Sequence, residues 1–109
     1  MQLKDLKDKF LVRSWGYEQT NIDFWQIIDV KNKATLILQE VATKVVDSDG
    51  GRCDFVIPDK NNKIGEPFTK RIRVADLEKN QVFVKVSQYD YATLWDGNPK
   101  YQTNPHFAY

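Results

Sequence analysis

The segment from Ser14 to Val30 decides the fold, and it reads Ser-Trp-Gly-Tyr-Glu-Gln-Thr-Asn-Ile-Asp-Phe-Trp-Gln-Ile-Ile-Asp-Val. Its second half, from Asn21, alternates apolar and polar side chains as a β-strand does. Gly16 can adopt a positive φ, so it ends the run of β-forming residues that begins at Lys9. The segment therefore predicts a corner in which two strands are joined by a polar loop.

The same alternation recurs on the C-terminal side of this corner. Asp47 to Arg52 contains Asp-Gly and Gly-Gly, a strong hairpin signal. Pro58 is expected to stop the strand that follows, with Asp59 to Glu66 as a polar loop. The predicted strands are Lys9 to Trp15, Asn21 to Val30, Ala34 to Val46, Cys53 to Ile57, Phe68 to Val74 and Val82 to Val86.

The two ends of the chain carry weaker signals. Leu3, Leu6 and Phe10 have helical spacing, so the N-terminus forms either one or two helical turns or an extended approach to the first strand. Ala75 to Gln81 can form one helical turn. The residues from Ser87 to Tyr109 are rich in turn formers and aromatics. They are expected to form a loop that closes the core against the corner at Trp15.

These patterns predict one domain over residues 1–109. The chain is long enough to bury a single core, because about two-thirds of the surface of a protein this size is buried on folding. The predicted fold class is all-β, with five or six antiparallel strands in a small barrel or a strongly bent sheet, and with at most short helices.

Composition limits the function classes. Sixteen basic and fifteen acidic residues leave a net charge of +1, which argues against a positive field over the whole surface. Cys53 is the only cysteine, so an intramolecular disulfide is excluded and a reducing compartment is favoured. No apolar run is long enough to span a membrane, and Met1 to Leu6 lacks the core of a signal peptide. We therefore expect a cytoplasmic protein with no membrane contact and no cofactor.

Catalytic and metal-binding patterns are weak. His106 is the only histidine, and Cys53 has none of the local signatures of a cysteine nucleophile. Asp47, Asp49 and Asp54 do not follow the calcium-loop pattern, and they suit a hairpin turn better. A small hydrolase that uses His106 remains a third hypothesis, and we expect no enzyme and no metal site.

Two polar segments share the triplet Gln-Thr-Asn, at residues 19–21 and 102–104. These residues either shape turns through their own backbone or form one surface for a partner. Neutral amides do not titrate, so the second interpretation implies binding and not acid-base chemistry. The predicted partner-binding residues are Trp15, Tyr17, Gln19, Asn21, Trp95, Tyr101, Gln102 and Asn104.

The most basic stretch runs from Lys70 to Arg73, with Lys60 and Lys63 before it. It is either an ordinary solvated strand face or a phosphate-binding site beside aromatic rings that stack bases. The residues of this alternative nucleic-acid site are Lys70, Arg71, Arg73, Tyr89 and Tyr91, with Trp25 as a further ring able to stack.

Three segments together carry a resemblance: Ser14 to Gln26, Thr69-Lys70-Arg71, and Trp95 to Asn104. They resemble a small family of uncharacterised proteins from bacteriophages and other mobile elements, over most of the chain after residue 10. The resemblance implies a small accessory protein acting in the host cytoplasm, of the kind that binds and disables a host defence nuclease, as anti-CRISPR proteins do. The expected partner is a host protein such as a Cas effector, and the alternative partner is nucleic acid.

Overall fold

The computed structural model describes residues 3–16, 20–32, 34–48, 53–79, 81–86 and 90–103. Seven strands and two short 3₁₀ turns account for most of these residues. The 3₁₀ turns are Leu3–Leu6 and Leu77–Lys79. The strands are β1 (Phe10–Trp15), β2 (Asn21–Lys31), β3 (Thr35–Ser48), β4 (Cys53–Asp76), β5 (Gln81–Lys85), β6 (Tyr91–Leu94) and β7 (Lys100–Thr103).

All seven strands belong to one antiparallel sheet, in the order β3-β2-β1-β6-β5-β4-β7. Because β3 also pairs with β4, the first six strands close into a ring. The structure thus confirms the prediction of an all-β fold built from antiparallel strands. Within the described residues, no helix is long and apolar enough to cross a membrane.

The interior of the ring holds the larger of two cores. Every strand of the ring contributes to it, and Leu11, Ile27, Leu38 and Val84 have no exposed surface. Leu6, in the N-terminal 3₁₀ turn, is also fully buried in this core. That turn therefore closes one end of the ring, because burial of Leu6 supplies the stabilisation that a four-residue segment cannot provide alone.

A second core lies on the outer face of β1 and β2. There Val12, Ile22 and Phe24 pack with Val41 and Val56. The last third of β3, the first part of β4 and β7 form a three-stranded extension, which we call the wing. The wing covers this outer face. Both faces of β1 and β2 are therefore buried, and both carry apolar side chains.

Gln39 lies where the pairing of β3 with β4 is irregular. Its side chain is 3% exposed, and Nε2 donates to the carbonyl oxygens of Ile64 at 2.9 Å and Gly65 at 3.1 Å. Pairing with β3 is irregular on either side of this point, and Gly65 has a φ of 68°. A buried amide thus satisfies carbonyl groups that the irregular ladder leaves unpaired.

Two expectations about strand length were wrong. β4 continues from Cys53 to Asp76, so Pro58 does not end it and residues 59–66 are not a loop. Pro58 is tolerated opposite Thr43 in the wing. Residues 60–67 are exposed strand residues, of which Lys63 and Ile64 pair with β3, so the polarity of this stretch reports solvent exposure and not the end of a strand.

The C-terminal segment was also expected to lack regular structure, and instead it contains β6 and β7. β6 lies between β1 and β5, and β7 adds to the free edge of β4. Each has only four residues, so the ladder to its neighbours determines its conformation more than its own sequence does. The helical turn expected near Ala75 is the 3₁₀ turn Leu77–Lys79, and the N-terminal one is Leu3–Leu6.

Candidate functional site

The β1–β2 hairpin brings a charged pair together at the end of the ring opposite the N-terminal 3₁₀ turn. Arg13 and Asp23 are direct partners in the ladder. Nη2 of Arg13 lies 2.5 Å from Oδ2 of Asp23, and Nε lies 3.2 Å from the same oxygen. Both side chains are less than a quarter exposed, so water screens this pair only in part.

Two tryptophans flank the Arg13 guanidinium. Its Cζ lies 5.2 Å from the centre of the Trp15 ring and 5.5 Å from that of Trp25. Trp15 Nε1 also donates to Asp23 Oδ2 at 2.7 Å. Trp25 is buried in the inner core, whereas Trp15 is 43% exposed. Trp15 therefore presents an exposed indole whose orientation is fixed by a cation and a carboxylate.

Two more carboxylates surround this pair. Asp90, which precedes β6, has Oδ2 3.5 Å from Nη1 of Arg13. Glu40 stands opposite Trp25 on β3. Burial raises the pKa of the Glu40 carboxyl and the Asp23 carboxylate raises it further, while the Arg13 guanidinium opposes both. We call the residues Arg13, Trp15, Asp23, Trp25, Glu40 and Asp90 the Arg13 cluster.

Trp95 is packed against other aromatic side chains. Its ring meets Phe10 and Phe24 edge to face, with centroids 6.0 and 5.7 Å apart, and it belongs to the margin of the second core. Its Nε1 donates to the Asn98 carbonyl at 2.7 Å. Asp96 stabilises the same turn, because its carboxylate accepts hydrogen bonds from the Asn98 backbone N–H and from Lys100 Nζ. The bond from Asn98 lowers the pKa of the Asp96 carboxyl most, and the bond from Lys100 lowers it further. The expected packing against the Trp15 corner is replaced by packing against Phe10, at the other end of β1.

Tyr101 and Gln102 lie in β7, opposite Phe55 and Asp54. Tyr101 is 48% exposed, its ring meets Phe55 edge to face, and its hydroxyl accepts a hydrogen bond from the buried Cys53 thiol. Cys53 is thus a packed residue of the wing.

The structure brings some of the predicted partner-binding residues together and separates others. Trp15 and Asn21 are direct ladder partners, and Cα atoms of β7 lie within 8 Å of Cα atoms of β2. Trp95, however, contacts Phe10, the first residue of β1, whereas Trp15 is the last residue of that strand. Trp95 and Trp15 therefore lie roughly 17 Å apart along β1. Tyr17, Gln19 and Asn104 lie outside the described residues.

The basic residues of the alternative site divide between two faces of β4. Lys70 stands opposite Leu36 and shares the inward register of Phe68 and Ile72, whereas Arg71 and Arg73 are exposed. Tyr91, 47% exposed, and Arg73 line one groove of about 460 Å³ together with Val74 and Phe83. Trp25 is buried, so it offers no face for stacking. Tyr89 lies outside the described residues.

No group of three or more His, Cys, Asp and Glu side chains is placed to hold a metal ion within the described residues. His106 lies outside them. No family model, curated protein or solved structure matches the chain. The candidate function therefore rests on the Arg13 cluster and on the groove beside Arg73.

Arg13, Asp23 and Glu40 were absent from the residues predicted from sequence. A signal for the first two exists, because Arg13 and Asp23 are symmetric about residue 18, the centre of the predicted corner. In a hairpin, residues equidistant from the turn face each other, so opposite charges at these positions indicate a cross-strand pair. Glu40 joins the cluster through the pairing of β2 with β3, which no local pattern specifies.

Proposed function

We propose that this chain is a non-catalytic interaction protein of phage or mobile-element origin that inhibits a host defence nuclease, such as a CRISPR-Cas effector, by direct protein binding. The resemblance of Ser14 to Gln26 and of Trp95 to Asn104 to phage proteins supports the origin. It also gives the host cytoplasm as the place of action.

One observation carries the proposal of protein binding: Trp15 is exposed and yet held in one orientation by Asp23 and Arg13. Tryptophan and arginine are the residues that most often dominate protein interfaces. An anchor that is already ordered loses little conformational entropy on binding. Trp15 is therefore the proposed centre of the contact face, with Asn21 beside it. We call this surface the Trp15 face.

A capture experiment tests the binding. Tagged protein is incubated with a bacterial host lysate from which nucleic acid has been digested, and bound proteins are quantified by mass spectrometry. The variants are Trp15→Ala and, as a matched exposed aromatic on another face, Tyr91→Ala.

We expect the wild type and Tyr91→Ala to retain the same host protein, and Trp15→Ala to retain about thirtyfold less, the effect of losing an interface anchor worth about 2 kcal/mol. Equal recovery by all three proteins would overturn the Trp15 face. If the captured protein is a nuclease, its cleavage of a DNA substrate is then measured with and without this chain, and unchanged cleavage would overturn inhibition.

A further inference from the structure

On the outer face of β4, β5 and β6, a β-bulge in β4 brings several side chains together. Ile72 pairs with Val84 and Val74 pairs with Phe83, so Arg73 is an extra residue in β4. At such a bulge, two successive side chains project to the same side of the sheet. Accordingly, Arg73 and Val74 both line the groove of about 460 Å³ with Phe83 and Tyr91.

Two further cations adjoin this groove. Lys85 is the ladder partner of Tyr91. Extending the register by one residue from Ile72 and Val84 places Arg71 beside Lys85. We call Arg71, Arg73, Val74, Phe83, Lys85 and Tyr91 the outer basic face. It combines three cations and two aromatic rings on three adjacent strands, which are about 4.8 Å apart.

No acidic residue offsets these charges within the segments of β4, β5 and β6 that form the face. Residues 67–75, 81–86 and 91–94 contain neither Asp nor Glu. Asp90 is within 3.5 Å of Arg13, and Asp76 accepts the backbone N–H of Lys79. Among the described residues, Arg71, Arg73 and Lys85 make no ion pair. The face is therefore complementary to an anion, although the whole chain has a net charge of only +1.

We propose that the outer basic face binds single-stranded nucleic acid, with Arg71, Arg73 and Lys85 on phosphates and Tyr91 and Phe83 against bases. Exposed rings beside cations are what single-strand binders use, because unpaired bases can stack on them. In a duplex the bases are already stacked, so the rings would gain nothing. This site is separate from the Trp15 face and does not depend on the function proposed for it.

Fluorescence polarisation with a labelled oligothymidine of about 20 nucleotides tests the site, with a duplex of equal length as the competing ligand. We expect the wild type to prefer the single strand and to lose affinity steeply between about 50 and 200 mM salt. Tyr91→Ala is expected to bind about tenfold more weakly, while Tyr91→Phe, which keeps the ring, binds like the wild type.

Arg73→Gln supplies an independent readout. Losing one phosphate contact reduces the slope of log affinity against log salt by about 0.7 for a single strand. Trp15→Ala serves as the aromatic control outside the outer basic face and is expected to bind like the wild type. Thermal melting of each variant verifies that it is folded, which is expected because Arg73 and Tyr91 are exposed.

The proposal is overturned if the wild type shows no salt-dependent binding, if it binds the duplex as tightly as the single strand, or if folded Tyr91→Ala and Arg73→Gln bind like the wild type. Loss of a captured host protein by Tyr91→Ala, without oligonucleotide binding by the wild type, would assign the face to a protein instead. The oligonucleotide results do not bear on Trp15, whose capture experiment uses lysate free of nucleic acid.

Discussion

Trp15 Nε1 and Asp23 Oδ2 lie 2.7 Å apart, and the same carboxylate oxygen accepts hydrogen bonds from Arg13. One carboxylate therefore orients both the exposed indole and the guanidinium beneath it. The consequence is that the stability of the hairpin and the presentation of Trp15 depend on a shared group, which makes Asp23 a sensitive position for substitution.

Asp23→Ala is expected to lower the free energy of unfolding by about 2 kcal/mol, because it leaves the largely buried Arg13 guanidinium with only the longer pair to Asp90. Urea denaturation measures the change. Glu78→Ala removes a carboxylate from an exposed 3₁₀ turn, and it is expected to change stability by less than about 0.5 kcal/mol. Equal effects of the two substitutions would contradict the role given to Asp23.

Glu40→Gln is expected to stabilise the protein at neutral pH. Since the pKa of Glu40 in the folded protein lies above its ordinary value of 4.5, the folded state binds the proton more tightly than the unfolded chain. Ionised Glu40 therefore destabilises the folded protein to its full extent at any pH above the pKa that Glu40 has in the folded protein. This destabilisation disappears as the pH falls below 4.5.

The measurement is the difference in melting temperature between Glu40→Gln and the wild type at neutral pH and near pH 4. We expect a positive difference that shrinks in acid. Glu78→Gln makes the same chemical change at an exposed position, and it is expected to give no such trend. A Glu40→Gln advantage that persists unchanged below pH 4.5 would show that removing the charge is not its cause.

Gln39→Leu is expected to cost about 2 kcal/mol, although leucine has a similar size and is more apolar. The substitution leaves the carbonyls of Ile64 and Gly65 without the donor that satisfies them. Denaturant midpoints compare it with Gln81→Leu, an exposed position on β5. A neutral or stabilising Gln39→Leu would mean that the irregular segment of β4 does not depend on this amide.

Trp95→Ala is expected to lower the free energy of unfolding by about 3 kcal/mol, because it removes the ring that packs on Phe10 and Phe24. Tyr91→Ala, which truncates an exposed ring, is expected to cost less than about 1 kcal/mol. If Trp95→Ala were as stable as the wild type but bound no partner, Trp95 would belong to the contact face after all.

The sequence was sufficient for the class of fold and for the β1–β2 corner, because alternation and Gly16 are local signals. It was misleading between Asp59 and Glu66, where exposed polar residues continue a strand whose partner, β3, lies many residues earlier. β6 and β7 were missed for the same reason. A short strand whose conformation depends on its neighbours shows no clear alternation of apolar and polar residues in its own sequence.

The bulges explain the remaining errors of register. Alternation predicts that Val30 shares a face with Ile22 and Phe24, but pairing with β3 shifts between Ile27 and Asp29. Val30 consequently packs against the inner core, while Phe24 belongs to the outer one. One extra residue reverses the face of all that follow it, and sequence alone does not locate it.

The central claim, that the Trp15 face inhibits a host defence nuclease, is tested most directly by phage plating on bacteria whose CRISPR-Cas system targets the phage. The hosts express the wild type, Trp15→Ala or Tyr91→Ala at equal levels. We predict that the wild type and Tyr91→Ala restore plaque formation, and that Trp15→Ala, although folded, does not. Restoration by Trp15→Ala equal to the wild type, or no restoration by the wild type, would contradict the claim.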